Sequence, residues 1–133
     1  HVGTTRLYDF WIINGLIRYD NIVHMFSIFV ATMVAYNIIS PYINHKIKND
    51  WFYLSSLLVL IALGIGVLNE LVEFMAVLFL NASETVGGYI NNAMDLVFNL
   101  IGSVIASIYI WFHYEKDNIE KRLKKQTRRF SRQ

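Results

Sequence analysis

Leu68-Asn69-Glu70-Leu71-Val72-Glu73-Phe74 places two carboxylates deep inside an otherwise apolar run that extends from Trp51 to Leu80. A run of that length reads as a membrane-spanning helix. An acid near the middle of such a helix costs about 2.5–3.5 kcal/mol on insertion scales, so it belongs on the bundle interior, facing a partner. Working outward, two further apolar segments carry candidate partners: Asp20 with His24, and Asp95 with Asn99.

The 133-residue chain is 55% hydrophobic and only 17% charged. Its mean hydropathy is +0.38. A soluble domain averages about a quarter charged residues. The chain holds no cysteine, which excludes disulfides, thiolate metal sites and a cysteine nucleophile. It shows no phosphate-binding glycine loop and no Ser-His-Asp arrangement. The expected fold is an all-α integral membrane bundle of three transmembrane helices at about 19–40, 51–80 and 92–112. An interfacial segment, with Trp11 at headgroup level, precedes them. Residues 1–114 form one domain and 115–133 a basic tail.

Pro41 stops the first segment. The second would be roughly 45 Å long as one helix, more than a hydrocarbon core of about 30 Å, so a bend or a close helix contact is expected at Gly64 and Gly66. The loop before the third segment is rich in turn residues (Ser83, Gly87, Gly88) and contains a glycosylation triplet, Asn81-Ala82-Ser83. The tail is dense in Lys and Arg and continues the third helix. Beside a membrane helix it reads as a topology anchor on anionic lipid, with no nucleic-acid partner implied. By the positive-inside rule the tail and the loop with Lys46 and Lys48 are cytoplasmic.

That topology aligns the acids. Asp20 and Glu70 lie about nineteen residues, and Asp95 about seventeen, from the inner ends of their helices, so all three sit at nearly one height near the outer face. Asp20/His24 and Asp95/Asn99 are i,i+4 pairs and Glu70/Glu73 an i,i+3 pair, each on one helix face. Small residues continue those faces: Ser27, Ala31 and Ala35; Gly66; Gly102, Ser103 and Ala106. Arg18 and His24 are the nearby basic groups. Four ionised acids would exceed them, and a bound cation or retained protons would restore the balance. The candidate metal ligands are Asp20, His24, Glu70, Glu73, Asp95 and Asn99. This donor set suits Zn, Mn, Fe or Mg rather than Cu(I).

Structural alternatives stand beside that reading. Asp95 follows Asn92 at capping-box spacing, Asp20 lies in a first turn where the helix dipole favours an anion, and Asn99 could bond between helices. A lone His24 would more often be a satisfied core histidine. Glu70 and Glu73 have no such alternative, being far from a helix start.

The ordered motifs Arg18-Tyr19-Asp20-Asn21-Ile22-Val23-His24, Asn69-Glu70-Leu71-Val72-Glu73-Phe74, Gly87-Gly88-Tyr89 and Asp95-Leu96-Val97-Phe98-Asn99-Leu100-Ile101-Gly102 resemble the YjdF-like family of small membrane proteins. They are similar, more distantly, to VanZ-like proteins. The likeness covers about Leu7 to Ile110. It implies a multi-helix membrane protein without an agreed activity, whose relatives carry further helices upstream. Two functions are open: a metal-binding membrane protein, hydrolytic or lipid-modifying, or an accessory transmembrane subunit of a larger respiratory or oxygenase-type complex. Partner helices would come from an upstream segment, partner subunits or a homo-oligomer.

Cysteines introduced at Asn44 and Ser131 are expected to react with an impermeant maleimide only from the cytoplasmic side. Labelling of either from outside would overturn the assigned orientation.

Overall fold

A computed structural model describes residues 10–80, except 16, and residues 89–130, with the side chains at 45 and from 114 onward left aside. His1, the Asn81-Ala82-Ser83 triplet, Gly87, Gly88 and the side chains of the basic tail therefore lie outside the described residues. Two short strands, β1 (Trp11–Ile13) and β2 (Ile17–Arg18), precede helix α1 (Tyr19–Ile39). A 3-10 turn (Ser40–Tyr42) and the short helix α2 (His45–Lys48) lead into α3 (Trp51–Leu80), and α4 (Tyr89–Phe130) closes the described chain. Three spans, Tyr19–Tyr42, Trp51–Leu80 and Tyr89–His113, are long and apolar enough to cross a membrane. The protein is a helical membrane bundle.

Before α1 the helical bundle carries a small two-stranded element. Strands β1 and β2 pair antiparallel, Trp11 with Arg18 and Ile13 with Ile17. The β-branched isoleucines favour the strands, and Gly15 supplies the positive φ of +75° in the turn. The Tyr19 N–H donates to the Phe10 carbonyl at 2.9 Å, which joins the strands to the start of α1. The Arg18 guanidinium lies 4.7 Å from the centre of the Trp11 ring.

Local chemistry fixes the helix ends. The Asn21 side-chain oxygen accepts from the Arg18 backbone N–H at 2.9 Å, closing the first turn of α1. At the other end Pro41 sits in the 3-10 turn, where its missing N–H is harmless. Asp50 caps α3, its Oδ1 accepting from the N–H groups of Phe52 (3.0 Å) and Tyr53 (3.3 Å). Helix α4 starts at Tyr89, three residues earlier than expected, and runs without a break to Phe130. Asn92 is thus inside the helix, which removes the capping-box alternative for Asp95.

Helix α4 is the centre of the bundle. Within its most apolar stretch 44% of residues are buried, against 22% for each of the other spans. Accordingly α1 and α3 each pack more extensively on α4 than on each other. The buried stripe of α1 is Asn21, His24, Ile28, Thr32 and Ala35. This corrects the small-residue face expected there, because Ser27 is exposed. On α3 the stripe is Leu54, Leu58, Ala62, Gly66 and Glu70, four residues apart throughout. The bundle is therefore apolar at one end, where Leu54, Leu58 and Ile110 pack with Met33, Tyr36 and Trp111. It is polar at the other, where Asn21, His24, Glu70, Asp95 and Asn99 are buried. Buried hydroxyls between the two ends satisfy themselves along their own helices: Thr32 donates to the Ile28 carbonyl and Ser107 to that of Ser103.

Of the two glycines in α3, only Gly66 is a close helix contact: a Cβ there would lie 2.8 Å from Asn99 Nδ2, whereas one at Gly64 would meet nothing within 4 Å. The helix is continuous across both. On α4, Gly102 lies so near α1 that a Cβ would collide with the backbone carbonyl oxygen of Met25. That contact is backbone against backbone and has no flexible side chain to yield.

Gly102→Ala is therefore expected to force α1 away from α4 and cost about 1–3 kcal/mol of stability. Gly64→Ala should be neutral or stabilise by up to about 1 kcal/mol through helix propensity. Melting of the two variants in the same detergent checks the contrast, and equal melting temperatures would contradict the close contact.

Candidate functional site

The polar end is built around one imidazole. His24 on α1 faces α3 and α4 and is 9% exposed. Its Nδ1 lies 3.6 Å from Glu70 Oε1. Its Nε2 lies 3.8 Å from Asp20 Oδ1, 3.9 Å from Glu73 Oε1 and 3.9 Å from Asp95 Oδ1. Carboxylates from three helices thus converge on His24, at the common level that the helix lengths imply. All four separations exceed hydrogen-bonding distance.

Asparagines hold the carboxylates in place. Asn21 Nδ2 donates to Asp95 Oδ1 at 2.8 Å and Asn91 Nδ2 to Asp95 Oδ2 at 2.9 Å. Asn92 Nδ2 donates to Glu70 Oε2 at 2.6 Å, and Asn69 Nδ2 to Glu73 Oε1 at 2.9 Å. An amide donates to a carboxylate without bringing a positive charge, so these bonds orient the acids and add no cation to the site. Asn21 does two jobs with one side chain: its oxygen is taken by the helix start, which fixes its NH2 toward Asp95. Sequence reasoning missed this asparagine set. The available signal was the recurrence of Asn beside or within one turn of every acid: Asn21 after Asp20, Asn69 before Glu70, and Asn91 and Asn92 before Asp95.

Arg18, expected near the acids, instead stacks on Trp11 and donates from Nη1 to Asn91 Oδ1 at 3.0 Å. Among the described residues, the ion pairs of Asp20, Glu70, Glu73 and Asp95 within 4.0 Å all run to His24. One oxygen of the buried Glu70, Oε1, has no hydrogen-bond partner and faces His24 Nδ1.

Ligand atoms bound at about 2.0–2.2 Å to one ion stand roughly 3–4 Å apart around it. Two overlapping groups approach that condition, Asp20 with His24 and Asp95, and His24 with Glu70 and Glu73, with donor atoms within 4.8 Å of one another in each. The buried polar cluster could therefore hold a metal ion. Asn99, the sixth expected ligand, lies one turn beyond Asp95, fully buried, with its amide against Gly66. Neither its Oδ1 nor its Nδ2 has a hydrogen-bond partner. It lines a cavity of about 290 Å³ together with Asp20, Val23, His24, Ser27, Ile28, Ala31, Ile65, Gly66, Asn69 and Glu73.

The family described as "Predicted membrane protein (DUF2238)" matches residues 1–116 of this chain. The chain belongs to the DUF2238 family. The YjdF-like resemblance is consistent with membership, and the match bears on the VanZ-like likeness in neither direction. No curated protein and no solved structure matches the chain significantly. DUF2238 membership agrees with the three candidate spans and with a location in a lipid bilayer.

Asn21→Asp keeps the helix-capping oxygen but sets a second carboxylate within about 3 Å of Asp95. Removing one partner from a buried charged network typically costs about 3–5 kcal/mol, and a loss of that order is expected in detergent melting. Asn44→Asp, in an exposed loop where the side-chain oxygen accepts from the Lys46 N–H, should leave melting nearly unchanged.

Proposed function

We propose that this DUF2238 protein holds a divalent metal ion inside the membrane, at the polar end of its bundle. Asp20, His24, Glu70, Glu73 and Asp95 would be the ligands, with Asn99 within reach on the same face of α4. The carrying observation is the setting of His24 Nε2: oxygens of Asp20, Glu73 and Asp95 stand 3.8–3.9 Å from it, too far to hydrogen-bond and close to the spacing of donors around an ion, while Nδ1 faces Glu70 Oε1 at 3.6 Å on the other edge of the ring. The charge balance supports the same reading. Four carboxylates surround one imidazole, and the other donors that hold them are neutral amides. Oxygen and imidazole donors suit Zn, Mn, Fe or Mg. With the basic tail and the Lys46/Lys48 loop cytoplasmic, the ion would lie toward the outer face.

The other reading is an accessory transmembrane subunit whose polar cluster only locks its helices together. Its support is the wide uncovered apolar surface of α1 and α3, where Phe26, Leu60 and Val72 are exposed. Lipid covers such a surface equally well, so the metal reading is preferred.

Elemental analysis of protein purified without chelator tests the choice. Wild type should carry about one ion per chain, and a Glu70→Gln/Glu73→Gln variant much less, both eluting as folded protein. Chelation should lower the melting temperature of wild type; an ion present at 100 times its Kd contributes about 2.7 kcal/mol. Wild type free of metal, or equal metal in both proteins, would overturn the metal reading and favour a purely structural cluster.

A further inference from the structure

The cavity that Asn99 lines is a cleft between α1 and α3, floored by α4. Ser27, Ile65 and Asn69 on its rim are exposed, so it opens sideways into the plane of the membrane. Its walls change character along the bundle axis. Asp20, His24, Asn69 and Glu73 form the end nearest the proposed ion. Ile28, Ala31 and Ile65 form the end nearest the bilayer centre. Asp20 to Ala31 spans about 16 Å of α1 at 1.5 Å per residue.

Asn99 stands between the two ends. It is fully buried, and both its amide oxygen and its amide nitrogen are without hydrogen-bond partners. An unpaired buried amide in protein surroundings costs about 1–3 kcal/mol for each group left unsatisfied. In a hydrocarbon setting water is not at hand to relieve it. Whatever satisfies Asn99 must come through the cleft.

The cavity measures about 290 Å³, so it takes only part of an occupant: a linkage and a few methylenes fit, a packed helix or a whole lipid does not. That volume is near the lower limit of about 300 Å³ for small-molecule sites. An occupant that is polar at one end, apolar at the other, and hydrogen-bonding where the two meet is an amphiphile.

We propose that the cleft between α1 and α3 binds one membrane lipid, entering sideways, with its ester or hydroxyl linkage hydrogen-bonded to Asn99. The headgroup lies at the His24–Glu73 end and the first methylenes of an acyl chain lie against Ile28, Ala31 and Ile65. Gly66 is required because a side chain there would drive into Asn99 and close the floor of the cleft. The proposal rests on the metal reading only for the neighbourhood of the headgroup. Asn99 and the apolar wall bind independently of any ion.

Wild-type protein would be transferred to nanodiscs of phosphatidylethanolamine and phosphatidylglycerol, extracted into mild detergent and weighed by native mass spectrometry for retained lipid. Two variants are compared: Ala31→Phe fills the apolar end and touches no proposed ligand, and Asn99→Leu removes the amide at nearly constant volume, its metal content being read beside its lipid. Wild type should retain about one lipid per chain, with at least a fivefold loss in each variant. Metal content is measured on the same samples. Retention of lipid by wild type with no metal would overturn the metal reading alone. Metal in wild type without a retained lipid, or equal lipid retention in wild type and both folded variants, would overturn the lipid proposal alone. A Ser27→Cys protein that forms covalent dimers in membranes would also overturn it, since a second chain would then cover the rim.

Discussion

Four carboxylates share one imidazole at the polar end of the bundle, and the rest of the bundle is arranged around that constraint. His24 could satisfy an acid on its own helix, but only a bundle with α3 and α4 antiparallel at the right heights brings Glu70, Glu73 and Asp95 to it. A slip of one helical turn, about 5.4 Å, would separate the partners and leave acids facing lipid. The cluster therefore sets the register of three helices that otherwise slide easily, since lipid is as apolar as the leucines between them.

Neutral donors make this arrangement tolerable without removing its charge. Each of these asparagines holds a carboxylate from the side away from His24 or shares an oxygen with it, so the acids are held in fixed orientations. Had lysine or arginine taken those places, the acids would be paired and the attraction for a cation lost. Among the described residues Arg18 is a cation at this end, and it lies on Trp11 and Asn91.

Close backbone packing and the polar site depend on one another. Gly102 on Met25 brings α1 against α4 one helical turn away from Asn99, and Gly66 makes room for Asn99 itself. Bulkier residues at these glycines would widen the helix spacing, and His24 would no longer reach acids on both neighbours. The same economy leaves α1 and α3 less intimately packed on each other than on α4, and a cleft opens between them.

The membrane fold was legible in the chain, because three long apolar runs leave few alternatives in a bilayer. So was the level of Asp20, Glu70 and Asp95, since helical rise converts residue counts directly into height. Local sequence also marked Pro41 as a stop and Gly66 as a contact. Rotation about each helix axis was not legible. Whether Ser27 or Ile28 faces inward, and whether Asn21 or Asp20 holds Asp95, depends on which neighbour lies beside the helix, and in an all-apolar segment the hydrophobic period is too weak to say. The paired strands before α1, the early start of α4 and the asparagine partners of the acids likewise became visible only once distant segments stood side by side. A hydrogen bond between residues more than seventy apart, such as Asn21 to Asp95, leaves no periodic trace in either of them.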